Sequence, residues 1–409
     1  MIISHIYRKD IKTLSPNDSV KLWLKGRSQW NEFFEDNPYM HIDFRDVDFS
    51  KYREKYGLEE ISFKGYRFPN GNKLFTSTNF GDGDTTFAGV DFGSGQVQFT
   101  GAKFGKGELF FSNLLVQEGD TFFDQAQFEC TKIVFGWSKF GGDLTFHYAK
   151  FGKCIVLMRN MKVNGLLAFA DLKNAELIEE FDLKHSQING SLDLSKLHLK
   201  CIIGLTHTSV KNHISLSGLS WHLSRQGKII KKVNDQNTAT RLLRLKQIAK
   251  SNEDYALELK LFADECRSRR WNSYSKSWSA IDLIYSALSD YGQSILRPVF
   301  LLFFMLILTM YLTAFAASEL NSKLVLCSLN EDKIISLTNY SIVNALPFIP
   351  NAQNIREASK KNLFCSATNA TKTSKSVPQW LQLWSIFLGI FSFFSLFLTG
   401  LSLRNRFRL

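Results

Sequence analysis

Apolar residues recur along the first half of the chain with a spacing that is neither helical nor strand-like. From Phe63 to Phe140 the apolar positions are separated alternately by five and seven residues, which gives a 12-residue period. From Leu166 to Trp221 the separations become six and five. A period of 3.6 would predict an amphipathic helix and a period of 2 a half-buried strand, and neither fits. The pattern therefore predicts a coil of very short extended segments, each with one side chain turned inward.

Two stretches of this region carry a recognisable repeat. Ala170–Leu177 reads A-D-L-K-N-A-E-L, two consecutive units of the form A-(D/N)-L-x-x with a glutamate as the one departure, and Thr100–Gly105 has a phenylalanine at the centre. On these residues the region 41–225 resembles the pentapeptide-repeat family. The resemblance implies a right-handed quadrilateral β-helix, so the expected fold class is mixed: this solenoid, then α-helices and two transmembrane helices.

The spacers between apolar positions are longer than the five-residue unit requires. Faces of five and seven residues add up to a coil of 24 residues, and faces of five and six add up to 22. Two corners of each coil should therefore bulge, and glycine is the residue that tolerates the left-handed backbone of such turns. The glycines in the longer spacers are Gly81, Gly83, Gly93, Gly95, Gly105 and Gly107.

Helical segments are expected on both sides of the solenoid. Residues 1–40 contain Trp23 and the Trp30-Asn31 pair, which resemble the short helical cap that precedes the coil in many pentapeptide-repeat proteins. Residues 226–293 form a helical linker or juxtamembrane domain, with a helix capped by Thr238. In this region Asp264 and Glu265 stand beside three arginines, which we interpret as a solvated, salt-bridged helix face.

Two long apolar runs define the class of protein. Pro298–Ser318 and Leu381–Leu403 contain no charged residue, and about 20 such residues cross a bilayer core as a helix. We therefore predict transmembrane helices in 294–318 and 380–409, the latter with a basic tail, joined by a loop at 319–379. Within the loop, the uncharged run 337–350 has the length of a re-entrant segment.

The charged flanks predict the orientation. The net charge of +12 is concentrated in the last third of the chain and just before it, which favours membrane lipids over nucleic acid as the partner. Basic residues remain on the cytoplasmic side, and no signal peptide is evident, so both termini are expected in the cytoplasm. The basic residues that flank the spans are Arg297, Arg404, Arg406 and Arg408.

Segments near the membrane carry a second resemblance. Ser289–Pro298 reads S-D-Y-G-Q-S-I-L-R-P and 403–408 reads L-R-N-R-F-R, and both are similar to segments of bacterial membrane-anchored pentapeptide-repeat proteins. The resemblance implies a two-pass protein of the bacterial inner membrane. The loop then lies in the oxidising periplasm, where Cys327 and Cys365 could pair as a disulfide, although two free thiols are the alternative.

Small and hydroxyl residues line one face of each span. Such faces let helices pack closely in lipid, and they equally suit a wet pore. Both interpretations stay open, and both favour a homo-oligomer. The residues are Thr309, Thr313 and Ala317 on the first span and Ser385, Gly389, Ser392 and Thr399 on the second.

No motif for catalysis, a cofactor or a metal is present, so an enzyme is not expected. The flat faces of a solenoid suit protein binding. We therefore expect a non-enzymatic inner-membrane protein whose cytoplasmic β-solenoid binds a protein partner. The alternative is a homo-oligomeric ion-conducting pore or a membrane-depolarising effector, for example in antiphage defence, gated through the solenoid. A potassium channel is not supported, since the T-V-G-Y-G filter is missing.

Overall fold

The computed structural model describes residues 12–227, 232–233, 235, 237–321, 331–346, 349–364 and 377–407. The chain divides into two compact units. The solenoid unit contains the described residues up to Asp254 together with Asp264–Asn272. The helical unit contains Tyr255–Ala263 and the described residues from Ser273 onward.

Short parallel strands form the body of the solenoid unit, grouped in five sheets. The first sheet contains Thr13–Leu14, His41–Asp43, Lys73–Leu74, Val97–Gln98, Thr121–Phe122, Leu144–Thr145, Leu167–Ala168, Leu192–Asp193 and Ile214–Ser215. The second contains Lys103–Phe104, Gln127–Phe128 and Lys150–Phe151. The third contains Glu60–Ser62, Asp84–Thr86, Glu108–Phe110, Lys132–Val134, Cys154–Leu157 and Ile178–Asp182. The fourth contains Leu115–Val116, Lys139–Phe140, Lys162–Val163, Gln187–Ile188 and Ser209–Val210, and the fifth His198–Leu199 and Ser220–Trp221.

The register of these strands confirms the predicted coil lengths in the phenylalanine-rich part and at the end of the solenoid, but not between them. Leu167 pairs with Leu192, 25 residues later, where the sequence predicted 22. The 3-10 turn Ala175–Leu177 lies within this longer coil, and Leu177 of the recognised repeat is 43% exposed instead of turned inward. From Val97 the chain visits four sheets in turn before it returns to the first at Thr121, which pairs with Val97. The amide of Glu108 donates to Asp84 Oδ1, 24 residues earlier. In the last part of the solenoid the separation shortens, and His198 and Ser220, 22 residues apart, are in contact. The change of spacing in the sequence is thus a change of coil length.

The phenylalanines form stacked columns inside the solenoid. In one column the ring centroids are 4.8 Å apart between Phe63 and Phe87, 5.1 Å between Phe87 and Phe111, and 4.7 Å between Phe111 and Phe135, with the planes within about 11° of parallel. These separations match the strand spacing of about 4.8 Å. Rings of neighbouring columns meet edge to face, as Phe111 does with Phe123 at 5.2 Å. Each ring therefore makes both favourable kinds of aromatic contact.

The corners have the left-handed backbone that the longer spacers predict, with one exception. Five of the six glycines named above have positive φ. Gly105 does not have positive φ. Glycine is required at this position for a steric reason instead, because a Cβ at Gly105 would lie 2.4 Å from the carbonyl oxygen of Gly81 in the preceding coil. Both causes exclude a side chain, but only the first depends on the conformation of the turn.

Two helices, α1 (Pro16–Leu24) and α2 (Arg27–Asp36), pack on the first coils. The indole Nε1 of Trp23 donates to the carbonyl of Ser62 at 3.0 Å, and that of Trp30 donates to the carbonyl of Arg67 at 3.0 Å. The Asn31 side chain exchanges hydrogen bonds with Gly65 and Arg67. The residues singled out in the sequence thus satisfy backbone groups of the coil that would otherwise lack partners.

Helix α3 (Phe49–Tyr56) interrupts the coil near its start. The guanidinium of Arg53, on this helix, donates to the carbonyls of Phe80, Glu59 and Asp84. Burial lowers the pKa of Arg53. Helix α3 is therefore tied to the next coil through backbone carbonyls.

Helix α4 (Thr238–Ser251) packs on the last coils. Arg241 donates to the carbonyl of Ile202 at 3.1 Å, and Arg244 donates to that of Thr208 at 3.0 Å. The prediction that Thr238 caps this helix is wrong, because Asn237 occupies the N-cap and makes no side-chain capping bond.

Helix α5 (Tyr255–Arg269) carries the two carboxylates that the sequence suggested were solvated. The predicted salt bridges are confirmed, but the predicted solvation is wrong, since Asp264 and Glu265 are only 8% and 6% exposed. Asp264 accepts from Trp221 Nε1 at 2.9 Å and pairs with Arg267, and Glu265 pairs with Lys246 and Arg269. Buried charges of this kind need such partners to be tolerated, and the pairing joins the end of α5 to the solenoid unit.

One lysine lies inside the solenoid. Lys73 is fully buried on the first sheet, and its Nζ donates to the carbonyl of Ser94 at 2.7 Å. Burial lowers its pKa from 10.5 to about 7, against the opposing effect of Asp91. The carbonyl of Ser94 also accepts the amide of Gly71, so it would keep a partner if the amine were removed.

Lys73→Met should therefore stabilise the protein at neutral pH by about 2–4 kcal/mol. The pKa of Lys73 is lower in the folded chain than in the unfolded chain, so the unfolded chain binds more protons between pH 7 and pH 10.5. The wild type should lose stability as the pH falls through this window. The variant should not show that loss. Thermal unfolding in mild detergent at pH 7 and pH 10 tests this, with the exposed Lys103→Met as the matched control. Equal pH dependence in wild type and Lys73→Met would contradict the prediction.

The helical unit contains the remaining helices. After α5 come α6 (Lys276–Ser289), α7 (Leu296–Asn321), α8 (Glu331–Ala345), α9 (Ala352–Leu363) and α10 (Gln379–Arg406). As predicted, two of these helices are long and apolar enough to cross a membrane, through Leu296–Ser318 of α7 and Gln379–Arg406 of α10. They run antiparallel, since Leu381 packs near Ala316 and the Ser402 hydroxyl donates to the carbonyl of Ser294.

Candidate functional site

Helices α8 and α9 form a hairpin in the region between the two apolar helices. The side-chain amide of Asn362 donates to Ser336 Oγ at 3.2 Å, and Arg356 Nη2 lies 3.5 Å from the carbonyl of Val343. Contacts at both ends show that the two helices are antiparallel. The segment 337–350, predicted as re-entrant, corresponds to most of α8 and the described part of the turn that follows. The sequence pattern did not predict α9, because its apolar positions are few.

The hairpin packs against the apolar helices along part of their length. Tyr340 of α8 clusters with Ala316 of α7 and Leu381 of α10. Ala345, at the end of α8, clusters with Met305 and Leu388. Met305 lies about 13 Å along α7 from Leu296, and Leu388 lies about 13 Å along α10 from Gln379, at 1.5 Å per residue. The end of α8 therefore reaches the middle of the two apolar helices.

The outer face of α9 is polar. Its buried side consists of Ser359 and Leu363, while Arg356 and Lys360 are partly buried. The side chains that are exposed on its other faces are mostly polar or charged, and they extend from the middle of the apolar helices to one end. The polar exposed residues of α9 are Gln353, Asn354, Glu357, Lys361 and Asn362.

Of the small-residue positions predicted to be a packing or pore face, three lie inside the unit. Thr309, Thr313 and Ser392 are fully buried. The hydroxyls of Thr309 and Thr313 donate to the carbonyls four residues earlier, at 2.7 Å. Thr309 Oγ1 also accepts from the indole Nε1 of Trp384 at 3.0 Å, a link between α7 and α10 that the sequence did not indicate. These contacts favour packing over pore lining at the three positions.

The other predicted positions are partly exposed. Ala317, Ser385, Gly389 and Thr399 are half-buried, and the hydroxyls of Ser385 and Thr399 donate within their own helix. A Cβ at Gly389 would lie 3.5 Å from the carbonyl oxygen of Asn344. This glycine therefore lies against the end of α8.

Three buried side-chain polar atoms in or near the hairpin lack a hydrogen-bond partner among the described residues. They are Ser392 Oγ, Asn344 Nδ2 and Arg356 Nε. An unsatisfied buried group of this kind costs about 1–3 kcal/mol. Ser392 and Asn344 belong to the two helices that meet at Gly389, and Arg356 belongs to α9.

The end of the helical unit opposite the hairpin carries the predicted basic flank. Arg297 donates to the carbonyl of Ser286 and lies 3.5 Å from Asp290. Arg404 and Arg406 are exposed in the last turn of α10. Arg408 lies outside the described residues, as do Cys327 and Cys365, so their predicted roles stay predictions.

The described part of the chain contains four free cysteines and no group of three residues that could hold a metal ion. Burial raises the pKa of the Cys154 thiol to about 12 and that of Cys201 to about 11. Such thiols are protonated at neutral pH and are poor nucleophiles. Their burial is consistent with a structural role.

The chain matches no family profile, no curated protein and no solved structure. The function must therefore be inferred from the hairpin and its surroundings.

Proposed function

We propose that this protein is a two-pass bacterial inner-membrane protein of the pentapeptide-repeat type, and that it is the subunit of a homo-oligomeric ion-conducting pore. In this proposal the solenoid is a right-handed quadrilateral β-helix in the cytoplasm, and both termini are cytoplasmic. The aqueous path runs along the outer face of α9. No catalytic step or cofactor is part of the proposal.

The observation that carries it is the exposed polar face of α9 beside two apolar helices. If α7 and α10 cross the bilayer, the tip of the hairpin is near the middle of a hydrocarbon core that is about 30 Å thick. Asn354 and Glu357 on the first turns of α9 would then lie well inside the core. A charged or amide side chain facing lipid at this depth is costly, whereas facing water it is not.

Assembly of several copies of the chain is the simplest way to place water against the polar face of α9. A ring of protomers that turns α9 inward would enclose its polar face and leave the apolar faces of α7 and α10 for lipid. Phe303 and Phe304 on α7 and Phe393 on α10 are between 60% and 66% exposed, as lipid-facing residues would be. An isolated anchor would need no polar hairpin at this depth.

The charges support one orientation of this assembly. Arg297, Arg404 and Arg406 lie at the end of the apolar helices that is remote from the hairpin. Basic residues favour the cytoplasmic side, so the hairpin enters from the periplasmic side. The excess of basic residues on this flank also supports contact with anionic lipids.

A second candidate function is a membrane-anchored scaffold that binds a protein through its solenoid. Two large aromatic side chains favour it, since Trp137 and Tyr148 are 66% and 51% exposed at corners of the solenoid. Exposed aromatic residues are enriched at protein interfaces. The two candidates are compatible if a bound partner increases the opening of a pore that also opens without it, and a role in depolarising the membrane during defence would be one case.

The test is the inner-membrane potential of bacteria that express the full chain. With a voltage-sensitive dye, the full chain should depolarise the membrane, while a chain that ends before Ser294 should not. Purified full-length protein in planar bilayers should show discrete current steps. Absence of steps at any protein density, with insertion verified by protease protection, would overturn the pore and leave the scaffold.

A further inference from the structure

Helix α6 has its polar and apolar faces reversed relative to a helix of a soluble domain. Its fully buried positions are serines, Ser279 and Ser289, each 0% exposed. Its exposed positions carry large apolar side chains. These are Trp278 at 65%, Ile281 at 54%, Leu283 at 48% and Ile284 at 58%.

The inward side of α6 is built from polar contacts. Asp282 Oδ2 accepts from the hydroxyl of Tyr291, which is itself buried, at 3.0 Å. The carbonyl of Ser286 accepts from Arg297 Nη1 at 3.3 Å. These polar groups of the helix thus have partners within the helical unit, whereas Trp278, Ile281, Leu283 and Ile284 stay exposed among the described residues. A helix arranged in this way indicates apolar surroundings.

The position of α6 identifies these surroundings. It packs against both α7 and α10. It joins α7 through a turn at Asp290, Tyr291 and Gly292, all with left-handed backbone. The turn is fixed to the end of α10, because Asn405 Nδ2 donates to the carbonyl of Gly292. At the start of α7, which follows this turn, Leu296, Val299 and Phe300 are exposed apolar residues as well.

We propose that α6 is a membrane-embedded interfacial helix, with Trp278, Ile281, Leu283 and Ile284 among the lipid acyl chains of the leaflet next to the basic flank. The proposal rests on membrane insertion of α7 and α10, which is part of the proposed function. Trp278 at the start of the helix suits the headgroup boundary, where the indole is favoured. The adjacent Lys276 can extend its ammonium group to the lipid phosphates.

The chemistry of this face favours lipid over a second copy of the chain. Helices that associate within membranes use small residues to bring their backbones together. On α6 the exposed residues include only two alanines, Ala280 and Ala287, against the four large side chains of tryptophan, isoleucine and leucine. Large, flexible or branched side chains suit the fluid acyl chains, which adapt to their shape.

Site-specific photo-crosslinking distinguishes these surroundings. The full chain would carry p-benzoylphenylalanine at Ile284, in vesicles of phosphatidylcholine and phosphatidylglycerol with a radiolabelled acyl chain. The same residue at Phe303 of α7 reports on insertion of the span. The same residue at Trp137 of the solenoid is the soluble control. We expect label on the protein from Ile284 and Phe303, at least fivefold above Trp137.

Each other outcome has a definite meaning. Label from Phe303 but only background from Ile284 would overturn the inference and leave the proposed spans intact. A crosslinked dimer from Ile284 in place of lipid label would show that a second copy covers this face and would also overturn it. Background label at both positions would overturn membrane insertion, on which both proposals depend.

Discussion

The double substitution Asn354→Leu and Glu357→Leu is expected to lower the ion current per inserted protein at least about tenfold. Both side chains are exposed on α9, on the turns that follow the hairpin tip. If this face lines the aqueous path, two leucines make it apolar at the depth where the path is farthest from bulk water. Water leaves an apolar constriction, and an ion then meets a barrier that raises the free energy of passage.

The measurement is single-channel current in planar bilayers, together with membrane depolarisation in cells at equal protein levels. Glu118→Leu, an exposed glutamate of the solenoid, is the matched control, and it should leave the current unchanged. A current equal to that of the wild type from the double variant would show that α9 does not line the aqueous path. Loss of current with loss of the oligomer would instead show that these side chains hold copies together, so the oligomer is measured in parallel by crosslinking.

Phe111→Ala is expected to destabilise the solenoid unit by about 3–5 kcal/mol. The ring of Phe111 is fully buried and stacks between Phe87 and Phe135, at 5.1 Å and 4.7 Å. Its removal leaves a cavity in a column and ends two stacked contacts and the edge-to-face contact with Phe123. In a solenoid each coil is stabilised mainly by its neighbours. A defect in a central coil therefore weakens both halves.

Thermal unfolding of the full chain in mild detergent, followed by circular dichroism, measures the effect. Trp137→Ala is the matched control, because it removes an even larger ring from a position that is 66% exposed. It should change the stability by less than about 0.5 kcal/mol. A similar small loss for Phe111→Ala would mean that the columns relax around the gap and that ring stacking contributes little.

The repeat shows why much of the solenoid could be predicted. A coil face needs one inward side chain at a set distance from the next, so the spacing of Phe63, Phe75 and Phe87 reports the geometry directly. The strand register and the left-handed corner glycines followed from that spacing. Gly105 did not, because its constraint comes from the carbonyl of Gly81 in the neighbouring coil, and only the stacked structure brings the two together.

The predictions failed at charged residues that the fold buries. Asp264 and Glu265 were expected in solvent because charged residues usually lie there. They are buried because Trp221, Lys246 and two arginines of α5 supply partners. The arginines are close along the chain, but Trp221 and Lys246 are distant and leave no periodic signal, so neither the burial of the carboxylates nor the buried lysine at position 73 could be predicted.

The sequence by itself determined the repeat, the coil lengths outside the stretch between Leu167 and Leu192, and the presence of two helices apolar enough to cross a membrane. These are local properties, since spacing and hydropathy are counted along one segment at a time. Only the tertiary structure decided that Thr309, Thr313 and Ser392 lie inside the unit, that α9 has its polar face outward, and that α6 has its apolar face outward. Which face of a helix is covered depends on the elements packed against it, and those elements come from distant parts of the chain.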